Sequence, residues 1–412
     1  MSLEENTKIE RQALENYPKD KVLKSALSAA VALNLPIAFW QLPECKELHF
    51  LISFSGVQKH SKIDLEEAGS GFSFSPFDLR KESLFISNNF HCSISQDTIQ
   101  VDSNSNNTFD SKQKSFLKNF YDQLDQIDLD KTGFHKIEKP IISVAAPADY
   151  LELVELTIQG IKNGQFQKAV PARQIEIPLH ADFDPIDTFL KLCEAYDHAF
   201  SSLVSIPKVG TWLGATPEVL LEVDANNTFT TVALAATQKR DFEKSTEETA
   251  WTQKEIEEQA MVSRYIINCF KKIRLREFEE KGPKTIAAGN LLHLKTNYKV
   301  DMTATNFPQL GTVMLELLHP TSAVAGMPKE NVLPFLDENE GFNRDFFSGY
   351  LGPVNIINSS NIFVNLRCMQ IYKTSAFLYA GAGITEDSIP EKELLETELK
   401  FNTLLNIINN EN

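Results

Sequence analysis

The amino-acid sequence predicts an α+β fold in which strands and helices form separate layers. Its 412 residues are 42% apolar and 23% charged, which is ordinary for a globular protein and allows a large core. Segments with the period-2 alternation of strands occur in groups between helical segments, and they do not alternate one by one with helices as βαβ units do. This composition excludes a wholly disordered, collagenous or disulfide-stapled chain.

The first 100 residues contain one helical segment and two strand-like segments. Residues 20–34 place Ala and Leu on one helical face, whereas residues 49–56 and 71–77 alternate apolar and polar side chains. Residues 101–115 are rich in Ser, Asn and Asp, which predicts a surface loop. A helix is expected near residues 114–127.

From about residue 147 the predicted elements are longer. The spacing of apolar residues predicts helices over residues 147–164, 186–200, 249–274, 310–318, 344–349 and 390–408. Strands are predicted for KAVPARQIEIPL, SLVSIP, GTWLGATPEVLLEV, TFTTVALAAT, NIFVNLRCMQIY and SAFLYAGAGI.

Charge and cysteine content restrict the possible partners. The chain has 40 basic and 56 acidic residues, a net charge of −16, so a nucleic acid, which needs a basic surface, is not expected as a partner. An anionic substrate would need cations concentrated locally. Five scattered cysteines without a CxxC pair and an acidic, polar N-terminus predict a reduced protein of the cytoplasm. The longest apolar stretch, residues 26–40, is too short to span a membrane.

Two acidic helices carry the side chains best suited to a metal ion. Glu393 and Glu396 lie three positions apart, and Lys400 lies four beyond Glu396, so all three share one helical face. Glu255 and Glu258 are spaced likewise in the long predicted helix. Converging carboxylates from both helices would form an oxygen-ligand site suited to Mg²⁺. The alternative is a solvated face with Glu–Lys pairs.

Three further side chains could act in a site if their surroundings shift a pKa or supply a charged partner. Lys168 begins a predicted strand and Glu218 follows Pro217, and across a bound molecule they would act as general base and general acid. A strand-end lysine is otherwise solvated. Arg367 lies in an apolar strand segment and needs an anionic partner, either a buried carboxylate or a substrate.

The glycine-rich segment GAGITE (381–386) follows a predicted strand, so its amides would form either an anion-binding turn or a simple tight turn. It lacks the third glycine of a dinucleotide-binding fingerprint, which argues against a Rossmann fold. The sequence contains no P-loop, HExxH or GxSxG motif.

Together these segments resemble the chorismate-utilising enzymes, the family that includes isochorismate, anthranilate, aminodeoxychorismate and salicylate synthases. The resemblance covers about residues 147–408. It rests on ordered blocks: KAVPAR (168–173), GATPE (214–218), LAATQKR (234–240), KEIEEQAMV (254–262), LLHPTSAVAGMPK (317–329), NRDFFSGYLG (343–352), NLRC (365–368), YAGAGI (379–384) and ETELK (396–400).

This resemblance implies the family's fold, a single large α+β unit in which two β-sheets pack face to face with helices outside. Residues 1–140 would form a divergent N-terminal part of the same fold, and residues 147–408 the chorismate-binding catalytic region. A monomer without a membrane partner is expected.

Within the family the sequence is most similar to the isochorismate synthases. Ala235 stands where aminodeoxychorismate synthases carry a nucleophilic lysine, and HPTSAVAGMP looks like the HPT block of isochorismate synthases. Lys168 matches the lysine that acts as a base toward water in the isochorismate and salicylate branches. A salicylate synthase, an ammonia-using anthranilate type and a non-catalytic relative that binds chorismate remain alternatives.

The resemblance implies that water adds at C2 of chorismate while the C4 hydroxyl leaves. Lys168 would take a proton from the water and Glu218 would protonate the departing hydroxyl. Mg²⁺ held by Glu258, Glu393 and Glu396 would bind the ring carboxylate. The implied substrate-binding residues are Thr237, His319, Arg367, Ala382, Gly383 and Lys400. Two positions depart from the family pattern, because Gln259 replaces a histidine and Ala236 replaces a glycine.

Overall fold

The computed structural model describes residues 17–95, 98–102, 110–125, 132–140, 146–241, 245–288 and 291–409. The α-helices in these residues are α1 (Lys19–Ala32), α2 (Asp110–Leu124), α3 (Pro147–Lys162), α4 (Pro185–Ala195), α5 (Gln253–Lys272), α6 (Leu310–Leu318), α7 (Lys329–Asn339) and α8 (Pro390–Asn409). None of these described helices is long and apolar enough to cross a membrane.

The strands among the same residues are β1 (Ile37–Gln41), β2 (Leu48–Ile52), β3 (Val57–His60), β4 (Gly71–Ser75), β5 (Ser83–Ser87), β6 (Phe90–Ile94), β7 (Ile99–Asp102), β8 (Lys168–Ala169), β9 (Ala172–Pro178), β10 (Phe200–Ile206), β11 (Gly210–Thr216), β12 (Val219–Val223), β13 (Thr228–Lys239), β14 (Glu279–Ala288), β15 (Leu291–Asp301), β16 (Gly326–Met327), β17 (Tyr350–Val354), β18 (Ser360–Val364), β19 (Cys368–Ile371) and β20 (Ser375–Gly381).

Two large antiparallel sheets dominate the fold. Sheet A has the strand order β7-β6-β2-β1-β10-β11-β19-β20-β9, and sheet B has the order β14-β15-β13-β12-β18-β17-β4-β5-β3. A short pair, β16-β8, forms a third sheet. The described residues up to Asp102 supply strands to both large sheets, four to sheet A and three to sheet B.

The buried side chains show that the sheets pack face to face between two helical layers. One cluster joins alternate residues of sheet A, such as Phe39, to α1, α2, α4 and α8. A second joins sheet B to α5 and α6. Between the sheets lies a cluster drawn from strands of both, including Trp40, Phe74, Trp212 and Phe363. The predicted α+β unit with two facing sheets and outer helices is confirmed.

Local sequence accounts for where helices α4 and α5 begin. The Asp184 carboxylate accepts hydrogen bonds from the Ile186 and Asp187 amides, and Pro185 opens α4 without needing its missing N–H. At the start of α5, Thr252 and Glu255 form a capping box. Such caps fix the first turn of each helix, and so they fix the direction in which its side chains point.

Several predicted elements are wrong. Residues 344–349 form turns, and the helix of this region is α7, upstream. The segment NIFVNLRCMQIY is two strands in different sheets, β18 and β19, because the chain crosses between the sheets at residues 365–367. The hairpin β14-β15 was not anticipated. In the predicted loop 101–115, residues 103–109 lie outside the described part, and α2 already begins at Asp110.

Candidate active site

The candidate active site lies where the chain crosses twice between the two sheets. One crossing joins β11 to β12 and carries Glu218, and the other joins β18 to β19 and carries Arg367. They lie side by side, because the Thr216 hydroxyl donates to the Val364 carbonyl at 2.7 Å and the Val364 amide donates to the Glu218 carbonyl at 2.9 Å. These two hydrogen bonds therefore place Glu218 and Arg367 on adjacent segments.

Gly214 and the backbone of Arg367 explain how the crossings approach so closely. A Cβ atom on Gly214 would lie 2.8 Å from the Arg367 carbonyl oxygen, so the GATPE glycine permits the close contact of β11 with the second crossing. Arg367 has φ +48°, a left-handed backbone that redirects the chain immediately before β19. Its predicted place within a strand is therefore wrong, and the residue occupies a crossing instead.

Lys168 reaches the same region from the small sheet. It pairs with Met327 of β16, and the next residue, Ala169, exchanges backbone hydrogen bonds of 2.8 and 3.3 Å with Ile384. A Cβ on Gly383 would lie 3.3 Å from Lys168 Nζ, so this glycine leaves room for the lysine side chain. Lys168 is only 6% exposed, and its Nζ makes no hydrogen bond or ion pair with the described residues.

Electrostatic interactions tie these groups into one site. Burial raises the pKa of Glu218 to about 7, although Lys168, Arg367 and Lys400 each pull it down. Burial also lowers the pKa of the Arg367 guanidinium to about 10, against the charges of Glu396 and Glu218. The site thus combines a carboxyl that is protonated in part at neutral pH with the basic side chains of Lys168, Arg367 and Lys400.

Helix α8 contributes a cation and two carboxylates. Lys400 Nζ donates to Glu396 Oε1 at 2.6 Å and to the Gly381 carbonyl at 2.7 Å, so it ties the helix to the end of β20. Burial raises the pKa of Glu396, but Lys400, Arg367 and Lys168 outweigh it and hold that pKa below its ordinary value. The pKa of Glu393 is raised by burial and also by the adjacent charge of Glu396.

The acidic face of α5 approaches α8. Lys254 of α5 lies close enough to Glu393 to lower its pKa, and half-exposed Glu258 lies one helical turn beyond Lys254. Carboxylate oxygens of this kind suit Mg²⁺. In the part of the chain that the structure describes, however, no three His, Cys, Asp or Glu side chains cluster closely enough to hold a metal. The pair Glu393 and Glu396 is assembled, and the participation of Glu258 stays a prediction.

The remaining predicted substrate-binding residues have different surroundings. Ala382 is buried and its amide donates to the Pro171 carbonyl, whereas the Gly383 N–H makes no hydrogen bond with the described residues. Thr237 lies in β13 beside a bulge, and its side chain is outside the described part. His319 Nε2 lies 3.3 Å from the Pro76 carbonyl and its ring packs edge-on against Tyr350.

Burial lowers the pKa of His319 to about 3, with the charge of Lys329 adding to the effect. His319 is therefore neutral at physiological pH, and its hydrogen bond and ring contact are with residues outside the Lys168–Glu218 group. Its proposed contact with substrate stays a prediction.

Sequence reasoning missed His293 on β15. Its Nδ1 lies 3.2 Å from the Ala236 carbonyl, and burial lowers its pKa, with a contribution from Arg367. Ala236 has φ +59° at the bulge of β13, which explains why a glycine is usual there. Gln259 is buried, and its amide donates to the Ala233 carbonyl and the Thr296 hydroxyl, a contact that holds α5 on sheet B.

Comparisons with known proteins show the family and the fold of this chain. The family model for chorismate binding enzymes matches residues 50–409. The vibriobactin-specific isochorismate synthase of Vibrio cholerae is 25% identical over 64% of this chain and 68% of its own length. Isochorismate synthase EntC of Escherichia coli is 27% identical over 59% of this chain and 62% of its own length. These two matches therefore span roughly two thirds of each relative.

The solved structure of MenF, the menaquinone-specific isochorismate synthase from Escherichia coli, superposes with a TM-score of 0.73 over 95% of this chain and 92% of that one. At 18% identity this match shows the shared fold. The family match covers most of the chain and includes every residue of the site just described. The chain belongs to the family of chorismate binding enzymes.

Proposed function

We propose that this protein is an isochorismate synthase that adds water at C2 of chorismate while the C4 hydroxyl leaves. The observation that carries the proposal is a buried amine, Lys168, near enough to the carboxyl of Glu218 to lower its pKa, which is about 7. The names of the relatives from Vibrio cholerae and Escherichia coli support this activity.

Lys168 and Glu218 would assist the two difficult steps of the reaction, the attack of water and the departure of hydroxide. Water is a poor nucleophile, and Lys168, whose Nζ has no partner among the described residues, would take its proton in the neutral amine form. Hydroxide is a poor leaving group, and Glu218 is about half protonated at pH 7, so it can donate a proton to the departing C4 oxygen. Each proton transfer is typically worth about 10²–10⁴-fold in rate.

Local cations offset the charge of the protein. Chorismate carries two carboxylates, and the chain itself has a net charge of −16. The Arg367 carbonyl accepts from the Ala215 amide, but its guanidinium makes no hydrogen bond with the described residues, so this planar fork is free to bind both oxygens of a carboxylate. Lys400 is already bound to Glu396 and Gly381, and its role is to hold α8 against the site.

We infer that Mg²⁺ is the cofactor and that Glu393 and Glu396 hold it, together with Glu258. The raised pKa of Glu393 reflects burial and a neighbouring negative charge, and a divalent cation would relieve both. When bound, the ion would neutralise these carboxylates and attract a substrate carboxylate. Arg367 and the Gly383 amide would orient the same ring between Lys168 and Glu218.

A product assay tests the proposal. Purified protein is incubated with chorismate, with and without Mg²⁺, and the products are separated by chromatography. Isochorismate formed only with Mg²⁺ is the expected result. Salicylate with pyruvate would identify a salicylate synthase, and an aminated ring formed with ammonia would identify the anthranilate type. Chorismate binding without turnover would identify a non-catalytic relative and reject the proposal.

A further inference from the structure

A buried ion pair lies beside the strand that carries Lys168. Glu340 follows the last turn of α7, and Arg344 lies four residues later, with side chains 4% and 3% exposed. Arg344 Nε donates to Glu340 Oε2 at 2.7 Å, and its Nη2 donates to Glu340 Oε1. The guanidinium also lies 4.4 Å from the centre of the Phe77 ring.

The remaining hydrogen bonds of this ion pair are made to backbone atoms near Lys168 in space or in sequence. Arg344 Nη2 donates to the Val170 carbonyl at 2.7 Å, and Glu340 Oε1 accepts from the Ala172 amide at 2.8 Å. Arg344 Nη1 donates to the Val324 carbonyl at 2.8 Å. The Glu340–Arg344 pair therefore binds the backbone just after Lys168 and also, at Val324, the segment that precedes β16.

The short strand β8 needs such support. It has two residues, and two β-ladder neighbours, β16 and Ile384, are all that the described chain offers it. Pro171 follows and has no N–H to donate. Lys168 Nζ has no hydrogen-bonding partner among the described residues, so the position of the amine depends on the backbone of β8 and on the packing of the side chain beside Gly383.

We propose that Glu340 and Arg344 are positioning residues that set the place of Lys168 relative to Glu218 during water addition. The inference rests on the proposed function of Lys168 as the base. An arginine suits this task because its rigid fork reaches acceptors on three different segments at once, which the single ammonium of lysine does not. A displacement of about 1 Å in a reacting group can cost about 10²-fold in rate.

The experiment compares Arg344→Lys and Glu340→Gln with a control variant, Lys24→Met. The control removes the 2.8 Å ion pair of Lys24 with Asp187, which joins α1 to α4 on the outer side of sheet A. Glu340→Gln keeps an oxygen acceptor for the Ala172 amide, and so it is the variant expected to fold best. For each protein the melting temperature, kcat and KM for chorismate are measured.

We expect kcat to fall about 10–100-fold in both variants of the pair while KM changes less than about twofold, since the base and not the substrate is displaced. The control should lose stability but keep its kcat. If the pair variants keep kcat within about twofold of the control, or if both fail to fold, the pair has a structural role only and the inference is overturned.

A second readout separates this inference from the proposed function. Acetic anhydride labelling with mass spectrometry gives the acetylation rate of Lys168 relative to that of exposed Lys59. Loss of the pair should raise this ratio at least about fivefold, because β8 would open more often. An unchanged ratio would overturn the inference even in an active enzyme. An inactive wild type with the raised ratio in the variants would reject only the proposed reaction.

Discussion

Glu218→Gln removes the proton donor with little change in shape. The backbone bond from the Val364 amide to the Glu218 carbonyl remains, so the crossing should fold as before. With a pKa of about 7, the carboxyl is about 90% protonated at pH 6 and about 10% at pH 8. If the protonated form is the active one and no other catalytic group titrates in this range, the wild-type rate should fall about ninefold between these pH values. The variant should lose about 10²–10⁴-fold in kcat.

The same pKa predicts that Glu218→Gln, which lowers the rate, raises the stability of the protein at high pH. Burial raises the pKa of Glu218 from 4.5 to about 7, so the folded state binds this proton more tightly than the unfolded state does. Its contribution to the free energy of unfolding is complete below pH 4.5 and is lost as the pH rises through 7. The loss is at most about 3.5 kcal/mol, from 2.5 pH units at about 1.4 kcal/mol each. Glu218→Gln should therefore be more stable than wild type at pH 8.

Glu222→Gln provides the matched control. Glu222 lies on β12, and burial also raises its pKa, with Asp224 adding to the effect. This variant should gain stability at high pH but keep kcat. The assays are kcat at saturating chorismate and Mg²⁺ from pH 5.5 to 8.5, and urea unfolding at both ends of that range. A flat wild-type profile between pH 6 and 8, or a Glu218→Gln variant with more than a tenth of the wild-type kcat, would refute the acid assignment.

Three further predictions concern neighbouring groups. Arg367→Lys should raise KM for chorismate about 10–100-fold, because a bidentate charged contact worth about 1.5–3 kcal/mol is lost, and steady-state kinetics with an unchanged KM would contradict this. Glu393→Gln should raise the half-saturating Mg²⁺ concentration about tenfold in an activity titration, and an unshifted titration would show that the carboxylate is not a ligand. Ala236→Gly should increase the free energy of unfolding by about 1 kcal/mol in urea, since glycine adopts the observed φ of +59° without steric cost, and a decrease would contradict it.

The sequence was most informative where a backbone feature requires one residue type. The GATPE and NLRC blocks predicted Glu218 and Arg367 as site residues, and the structure places them on adjacent crossings between the sheets. The YAGAGI block contains Gly383, which leaves space for Lys168. Local sequence did not show that the two blocks mark crossings, because this depends on which sheet each strand joins.

Helix α8 shows why apolar patterning failed near the site. Hydrophobicity alone would assign Leu395 and Leu399 to the buried face, but they are 55% and 62% exposed. The buried face instead includes Glu393 and Thr397, and the Thr397 hydroxyl accepts from Arg173 Nε at 2.8 Å. Polar residues occupy the inner face because the proposed site requires them there, and a reading based on hydrophobicity assigns that face to the leucines.

The roles of Glu340 and Arg344 were invisible in sequence for a related reason. The block NRDFFSGYLG includes Arg344, yet its partners Val170 and Val324 are distant in the chain and contribute only backbone carbonyls. A backbone acceptor leaves no residue-type signal at its own position. Such contacts become visible only once the fold is known.

Isotope labelling of the solvent tests the central claim most directly. Chorismate is incubated with Mg²⁺ in water enriched in ¹⁸O, and the product is analysed by mass spectrometry early in the reaction. If Lys168 activates water opposite Glu218, wild-type protein should form isochorismate with one ¹⁸O atom at C2, and Lys168→Ala should form none. Unlabelled isochorismate from the wild type, or labelled product from Lys168→Ala at the wild-type rate, would contradict the account.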